Sequence, residues 1–274
     1  MTSGSYQTLL VRTHPQWVEI FLNRPKSRNA MSFEMVEELQ ALFSSFDEQV
    51  QAVVLRGVGG HFCAGGDVKD MAGMLQQPQS TLAQANRKFG LLLEQLQSCP
   101  QLLIVVLEGA VMGGGFGLAC ISDVAFALPS ARFGLPEVTL GVTPAQIAPF
   151  VVARIGLTQA RRLALTGARI KADEALHLGL IHECCPDEVT LLDRLQNTLE
   201  SVSRCAPDAR KETKKLLLAV GAPDLGTILD QASEHFASAA QGKEGKSGMM
   251  AFISKRPPEW QSAWGTINIP PTPE

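Results

Sequence analysis

Short apolar runs alternate with amphipathic stretches over the first two thirds of the chain. Three runs are almost wholly apolar, namely residues 17–22 (WVEIFL), 52–55 and 102–107. Such runs predict strands that are buried on both faces. Between them, apolar residues recur at helical spacing over 33–49, after Ser32 as the N-cap, and over 81–97. The alternation of strand and helix predicts an α/β fold with right-handed crossovers.

The pattern changes near residue 190, beyond which the chain becomes helical. Apolar spacing predicts helices over residues 191–202, 209–220 and 225–240. Residues 241–248 are rich in Gly and Lys and predict a linker, and the proline-rich residues 270–273 predict a loose tail. We therefore divide the chain into an α/β core over residues 1–190 and a helical region over residues 191–274.

Composition narrows the class of protein. Hydrophobic residues make up 45%, charged residues 19%, and the formal net charge is -3, so neither a nucleic acid nor a membrane surface is an expected partner. The apolar stretch 102–121 is broken by Glu108 and several glycines and is a poor membrane span.

The cysteines and histidines fit a reduced, metal-free protein. Six cysteines form no CxxC pair and five histidines form no HxxxH pair, so no metal site is predicted. The first 30 residues lack an apolar core of signal-peptide length. We expect free thiols in a reducing compartment and a cytoplasmic location.

Two glycine-rich loops each follow a buried strand and are the first candidates for chemistry. One covers residues 61–68 (HFCAGGDV) and the other residues 113–115 (GGG). Glycine lets backbone approach a ligand closely, and N–H groups at the start of a helix attract negative charge. The loops predict either an oxyanion hole for a thioester carbonyl or simple tight turns. A dinucleotide fingerprint fits worse because Leu118 stands where its last glycine belongs, and no P-loop motif occurs.

Ordered segments resemble motifs of the crotonase (enoyl-CoA hydratase/isomerase) superfamily. They are residues 23–31 (NRPKSRNAM), 62–69 (FCAGGDVK), 109–115 (GAVMGGG), 133–138 (FGLPEV), 165–181 and 244–256. The resemblance runs from about residue 8 to 260. It implies a crotonase-like ββα spiral with a C-terminal helical trimerisation region, assembled as a homotrimer or a homohexamer (dimer of trimers). It also implies an acyl-CoA substrate and no separate cofactor, because CoA is part of the substrate.

The same resemblance assigns roles to single residues. Glu137 would be the main catalytic carboxylate, and the N–H groups of Gly66 and Gly114 would form the oxyanion hole. The residues expected to bind substrate or CoA are Arg28, Ala30, Ala64, Gly66, Asp67, Val68, Lys69, Gly114, Gln146 and Lys255. Lys255 would reach the CoA phosphates of a neighbouring subunit. The simpler alternatives are solvated charges for Arg28 and Lys255, a helix cap for Gln146, and a surface or salt-bridged acid for Glu137.

One departure from the family pattern leaves the reaction open. Hydratases of the family usually carry two glutamates, and the first of these positions is Gly117 here. One hypothesis is hydration of a 2-enoyl-CoA by Glu137. A second is Δ3–Δ2 enoyl-CoA isomerisation, for which one carboxylate suffices. A third is an acyl-CoA-binding scaffold without activity.

The acyl group is suggested by one segment. Residues 144–156 (PAQIAPFVVARIG) resemble isohexenylglutaconyl-CoA hydratases of acyclic terpene degradation. This favours a branched, glutaconyl-type thioester, whose own carboxylate would assist in place of the missing glutamate.

Overall fold

Two β-sheets form the centre of the structure, a computed structural model that describes residues 6–221 and 224–273. Over these residues the strands are β1 (Leu9–Thr13), β2 (Trp17–Leu22), β3 (Ala52–Gly57), β4 (Leu102–Leu107), β5 (Ala110–Met112), β6 (Val124–Ala127), β7 (Arg132–Gly134), β8 (Arg169–Lys171) and β9 (Glu183–Cys184). The larger sheet has the order β1-β2-β3-β4-β6-β9 and the smaller sheet the order β5-β7-β8. The predicted apolar runs are therefore the central strands β2, β3 and β4.

The helices follow the predicted alternation. They are α1 (Phe33–Ser44), α2 (Val68–Met74), α3 (Gln79–Ser98), α4 (Gly114–Ile121), α5 (Ala148–Thr166), α6 (Ala172–His177), α7 (Glu188–Ser203), α8 (Pro207–Ala219), α9 (Leu225–Gln241) and α10 (Lys243–Ile253). Ser32 caps α1 as predicted, because its side chain accepts the Met35 N–H at 3.2 Å. The helix ends at Ser44, five residues earlier than predicted, and α5 bends at Gly156.

Most strands of the larger sheet are parallel, as the crossovers predict. Only β1 pairs antiparallel, with β2, whereas β2, β3, β4, β6 and β9 pair in parallel across the described part of the chain. Every residue of β2 and β3 is buried. Helices therefore cover both faces of this sheet, and the predicted α/β class is confirmed.

Alternate residues of β2 point into two separate cores. Val18 and Ile20 pack with α1, α3 and α4, whereas Trp17 packs on the opposite face with α7. Leu195 and its neighbours at helical spacing are fully buried in this second core. Helix α7 thus belongs with the sheet, and the change to a separate helical region comes after Ser203 and not at residue 190.

The C-terminal segment differs from the sequence expectation in two places. Residues 243–253 form helix α10 and not a linker, because Gly245 permits close packing: a Cβ there would lie 2.2 Å from the Ala239 carbonyl oxygen. The tail is not loose. Ile267 and Ile269 are buried in the second core, and Arg12 Nη1 donates to the Pro271 carbonyl at 2.7 Å. Small residues and alternating isoleucines therefore serve packing here.

Candidate active site

The two glycine-rich loops lie side by side in a fixed register. Cys63 N–H donates to the Ala110 carbonyl and Met112 N–H to the Cys63 carbonyl, both at 2.9 Å. At the point of contact, a Cβ on Gly113 would lie 3.6 Å from Gly65 Cα. Gly65 and Gly113 have φ values of +102° and +49°, which side chains rarely permit. The two predicted loops therefore pack together as one unit. Gly66 and Gly114 directly follow the two glycines that are in contact.

The amide groups of Gly66 and Gly114 are available to a ligand. Gly114 is the first residue of α4, so its N–H has no acceptor within the helix. Within residues 6–221 and 224–273, neither N–H donates to a carbonyl or a side chain. The ring of Phe89 lies 3.2 Å from the position of a Cβ on Gly114. Two free donors on adjoining loops are the parts that an oxyanion hole requires.

Glu137 lies against these loops and is half-buried. It begins the short 3-10 helix Glu137–Leu140, and its Oε1 atom is 2.9 Å from the position of a Cβ on Gly113. Its Oε2 atom is buried and has no hydrogen-bond partner in the described part of the chain. Burial raises the pKa of this carboxyl group above 4.5. The carboxylate makes no ion pair with described residues, and a raised pKa is typical of a group that transfers protons.

The position of the missing glutamate is closed by packing. A Cβ on Gly117 would lie 2.5 Å from Ile147 Cγ2 and 3.6 Å from Leu93 Cδ1. Gly117 is buried one helical turn beyond Gly113, whose carbonyl accepts its N–H at 3.0 Å. Ile147 thus fills the space into which a second carboxylate would project.

Asn29 holds the predicted CoA segment against the first loop. Its side chain accepts the Arg24 N–H at 2.8 Å and donates to the carbonyls of Val58 and His61 at 2.9 and 2.7 Å. It is fully buried, with φ of +56°, a conformation that asparagine adopts more readily than most residues. The sequence motif contained Asn29, but no local pattern revealed this positioning role.

Backbone hydrogen bonds align the same segment with the loop. Ala64 N–H donates to the Arg28 carbonyl at 3.0 Å, and Met31 N–H donates to the Gly65 carbonyl at 2.7 Å. Arg28 is exposed, whereas Ala30 and Ala64 are half-buried. These predicted CoA-binding residues therefore share one surface beside Gly66.

Asp67 is a structural residue by its contacts. Its carboxylate pairs with Arg24 at 2.8 Å and caps α2 by accepting the Lys69 N–H at 2.9 Å. Burial alone would raise its pKa, but the hydrogen bonds from Arg24 and from backbone N–H groups lower the pKa below its ordinary value. The side chain faces inward, while Val68 and Lys69 are exposed on the first turn of α2.

The last two predicted residues lie in different surroundings. Gln146 is half-buried beside α3, and its side chain does not cap α5, which begins without a side-chain cap bond. Lys255 is exposed after α10, with φ of +53°, and its side chain makes no ion pair with described residues. Gln146 therefore lies beside Gly90 of α3, and Lys255 keeps only its predicted role toward a neighbouring subunit.

Neither a metal-binding cluster nor a membrane-spanning helix occurs in the described ranges. They contain no cluster of three or more His, Cys, Asp or Glu side chains that would hold a metal ion. None of their helices combines the length and the apolar character that crossing a membrane requires.

Comparison with known proteins gives consistent matches over nearly the whole chain. A family model described as "Enoyl-CoA hydratase/isomerase" matches residues 14–263. A short-chain-enoyl-CoA hydratase of Clostridium acetobutylicum is 33% identical over 246 residues, which cover 86% of this chain and 91% of the relative. A 2,3-dehydroadipyl-CoA hydratase of Escherichia coli is 31% identical and covers 92% of this chain and 98% of the relative.

Solved structures agree in fold. Pseudomonas aeruginosa AtuE superposes with a TM-score of 0.92 at 56% identity, covering 93% of this chain and 100% of that one. An enoyl-CoA hydratase/isomerase from Marinobacter aquaeolei superposes with a TM-score of 0.90 at 53% identity, covering 93% and 99%.

Proposed function

The chain belongs to the enoyl-CoA hydratase/isomerase family, whose crotonase fold it shares, and from this premise we propose that it hydrates a 2-enoyl-CoA thioester with Glu137 as the base. One observation carries the proposal: the carboxylate of Glu137, whose buried Oε2 atom has no hydrogen-bond partner among the described residues, lies beside the loops that present the free amides of Gly66 and Gly114. Burial raises the pKa of this carboxyl group above its ordinary value, which suits a group that takes up and returns a proton.

In the proposed reaction, Glu137 removes a proton from water as the water oxygen bonds to C3 of the acyl chain. The electrons of the C2=C3 bond move toward C1, and negative charge develops on the thioester oxygen. The amides of Gly66 and Gly114 donate to that oxygen and stabilise the enolate. Protonated Glu137 then returns the proton to C2, so one carboxylate serves as base and acid in turn.

Isomerisation between 3-enoyl-CoA and 2-enoyl-CoA is the second candidate. The packing of Ile147 over Gly117 favours it, because this enzyme lacks the second carboxylate that holds water in two-glutamate hydratases. In this reaction Glu137 removes the proton at C2 and returns it at C4, while the same amides hold the enolate.

A single assay separates these reactions. The purified enzyme is incubated in oxygen-18 water with a 2-enoyl-CoA and, separately, with a 3-enoyl-CoA, and the products are analysed by mass. Incorporation of labelled oxygen supports hydration. Double-bond migration without a gain in mass supports isomerisation, and an absence of both across short, long and branched thioesters refutes the proposed function.

For the acyl group we propose a branched thioester of the isohexenylglutaconyl type, which would place the enzyme in acyclic terpene degradation. This proposal is supported by residues 144–156, which resemble isohexenylglutaconyl-CoA hydratases. The same segment contains Ile147, whose side chain packs against Gly117. The Escherichia coli relative is named for a dehydroadipyl thioester, so a related enzyme is named for an acyl group with a second carboxylate. A turnover screen of straight, branched and glutaconyl-type enoyl-CoA thioesters tests this assignment.

We propose a homotrimer or a homohexamer as the assembly. Helices α9 and α10 expose large apolar side chains, among them Phe236 at 75% and Phe252 at 86% of their accessible surface. Patches of this kind mark association surfaces. Sedimentation equilibrium distinguishes three from six copies, and a monomer at micromolar concentration would contradict both.

We also propose a cytoplasmic location. All six cysteines lie within the described ranges and are free thiols, most of them buried. This usage is typical of a reducing compartment, and cell fractionation provides the test.

A further inference from the structure

The peptide that joins Gly65 to Gly66 has a fixed direction. Met31 N–H donates to the Gly65 carbonyl at 2.7 Å, and Asp67 N–H donates to the Met31 carbonyl at 2.9 Å. No cis peptide bond occurs in the described part of the chain, and in a trans peptide the C=O and N–H groups point in opposite directions. The N–H of Gly66 therefore points away from Met31. The contacts that hold Gly65 and Asp67 beside Met31 set the direction of this donor.

Arg24 joins the two chain segments that meet in the β-bridge between Met31 and Gly66. Its Nη2 atom lies 2.8 Å from Asp67 Oδ2, and its Nη1 atom donates to the Ala30 carbonyl. Ala30 and Asp67 are direct neighbours of the two bridged residues, so one guanidinium group binds both sides of the bridge. Because the guanidinium is planar and its donors have fixed directions, it holds its two acceptors in one relative geometry.

The ion pair of Arg24 and Asp67 is largely shielded from water. The side chain of Asp67 is 9% exposed and that of Arg24 is 28% exposed. Removal of one partner of a shielded pair leaves the other charge poorly hydrated, so the two side chains are held together more firmly than in an exposed pair. Both terminal nitrogens of Arg24 are bound to acceptors of the chain itself. Its contacts therefore indicate a role within the protein, in contrast to the exposed Arg28.

We propose that Arg24 is a positioning residue for the oxyanion hole: by holding Asp67 beside the segment that contains Ala30, it keeps the N–H of Gly66 directed at the thioester oxygen. The inference rests on the proposed function, since it concerns one of the two amides assigned there. Arg24 contacts no reacting atom, and its effect passes through the peptide of Gly66. A displaced donor lowers the rate more than the affinity for substrate, because the negative charge develops only in the transition state.

The test separates the chemical step from binding in the full-length enzyme. Steady-state kcat and KM are measured for Arg24→Met, Arg24→Lys and Asp67→Asn with the thioester that the turnover screen finds fastest. Binding of 4-dimethylaminocinnamoyl-CoA is followed by absorbance, since this chromophore absorbs at longer wavelength when hydrogen bonds polarise its thioester carbonyl. Arg162→Met is the matched control, because Arg162 is 43% exposed and pairs with Glu174 at 2.7 Å, outside both glycine-rich loops.

We expect Arg24→Met to lower kcat at least about tenfold and to change KM less than about threefold, because loss of one oxyanion donor costs about 10²–10³ in kcat and here the donor is displaced. The absorbance shift of the bound chromophore should decrease in the same variant. Asp67→Asn should give the same pattern, since it removes the charge that pairs with Arg24 and keeps an oxygen for the Lys69 N–H. Arg24→Lys should recover part of kcat, because the charge remains without the planar fork.

Three results contradict the positioning role. Wild-type kcat and an unchanged absorbance shift in Arg24→Met would show that Gly66 keeps its direction without the ion pair. A change confined to KM would assign Arg24 to CoA binding. An equal loss of kcat in Arg162→Met would indicate a general effect of losing an ion pair. A wild-type enzyme that neither turns over any thioester of the screen nor shifts the chromophore is a different outcome, because it refutes the proposed function itself.

Discussion

Glu137 is an unusual residue because the Oε2 atom of its carboxylate is buried and has no hydrogen-bond partner among the described residues. The carboxylate of Asp67, by contrast, pairs with Arg24 at 2.8 Å. An unpartnered buried oxygen is costly, and such costs concentrate where chemistry requires them. Glu137 contacts Gly113 and therefore lies beside the loops that carry the free amides of Gly66 and Gly114. This position is consistent with a catalytic role for the carboxylate.

Replacing Glu137 tests its role most directly. Glu137→Gln keeps the shape of the side chain and removes the base, so we expect kcat/KM to fall at least about a hundredfold. The melting temperature should not decrease, because a neutral amide is easier to bury than a carboxylate. Enzyme assays and thermal unfolding measure both quantities.

Glu108→Gln is the matched control for this substitution. Glu108 is another carboxyl group whose pKa is raised by burial, with Arg56 acting to lower it and Glu188 to raise it. We expect its replacement to change kcat/KM less than about threefold. Retention of full activity in Glu137→Gln would assign the base to another residue.

The raised pKa of Glu137 also predicts two pH profiles. The base acts only when ionised, so the acid limb of kcat/KM should have its midpoint above 4.5. Because the pKa is higher in the folded state than in the unfolded state, the group stabilises the fold below the unfolded pKa. That stabilisation is lost as pH rises through the folded pKa.

The pH dependence of stability is measured as the difference in the free energy of unfolding between the wild type and Glu137→Gln. Urea unfolding of the wild type and of Glu137→Gln is followed from pH 4 to 7, and the wild type should lose stability relative to the variant as pH rises. An opposite trend would show that the carboxylate is stabilised by a partner in the folded protein.

Among the elements, the first turn of α4 shapes the site through its missing side chains. Gly113 receives Glu137, Gly114 faces Phe89, and Gly117 receives Ile147. Helix residues three and four positions apart share a face, so these three side chains pack against one face formed by glycines. The same argument explains why one carboxylate is present: the loop before α5 packs an isoleucine where relatives of the family place an acid.

Restoring that glutamate is therefore expected to fail unless the isoleucine is removed. Gly117→Glu clashes with Ile147 Cγ2 at 2.5 Å and should lower the free energy of unfolding by about 1–3 kcal/mol or more. The double variant Gly117→Glu/Ile147→Ala should be more stable than Gly117→Glu alone, although Ile147→Ala is destabilising by itself.

A double-mutant cycle of urea unfolding measures this coupling. Additive effects of the two substitutions would mean that Ile147 does not fill the position. Ile147→Ala alone supplies the reference, since it creates a cavity beside Leu93 without introducing charge.

At the scale of the whole molecule, the C-terminal tail closes the second core. Trp264, Ile267 and Ile269 pack with Trp17 and α7 on the face of the sheet opposite the active site. The tail thereby joins the two ends of the chain, which Arg12 and Pro271 also connect. Contacts of such long sequence separation stabilise the finished fold while contributing nothing to local structure.

Truncating one side chain of the tail should lower the free energy of unfolding measurably. Ile269→Ala is expected to lower the free energy of unfolding by about 2 kcal/mol, because a buried branched side chain is lost. Leu75→Ala, at a position with 70% exposure, is the control and should change it by less than about 0.5 kcal/mol. Urea unfolding at one protein concentration compares the variants, and equal effects would show that the tail does not pack stably.

The α/β class, the central strands and the two glycine-rich loops could all be predicted from the sequence. These features follow from the local periodicity of apolar residues and from the conformational freedom of glycine. Both depend only on residues that are close together in the sequence. The resemblance to a family also pointed to Glu137 from its own segment, and the structure places this residue beside the loops.

Tertiary structure decided what depends on residues far apart in the chain. Ile147 closes the space at Gly117, Gly90 admits Gln146 and Arg87, Asn29 joins two loops, and the tail packs on the sheet. The linker predicted over 241–248 is a packed helix for the same reason. From the local sequence alone, glycine predicts a flexible segment. In the folded protein it permits close packing where another segment fills the space that a side chain would take.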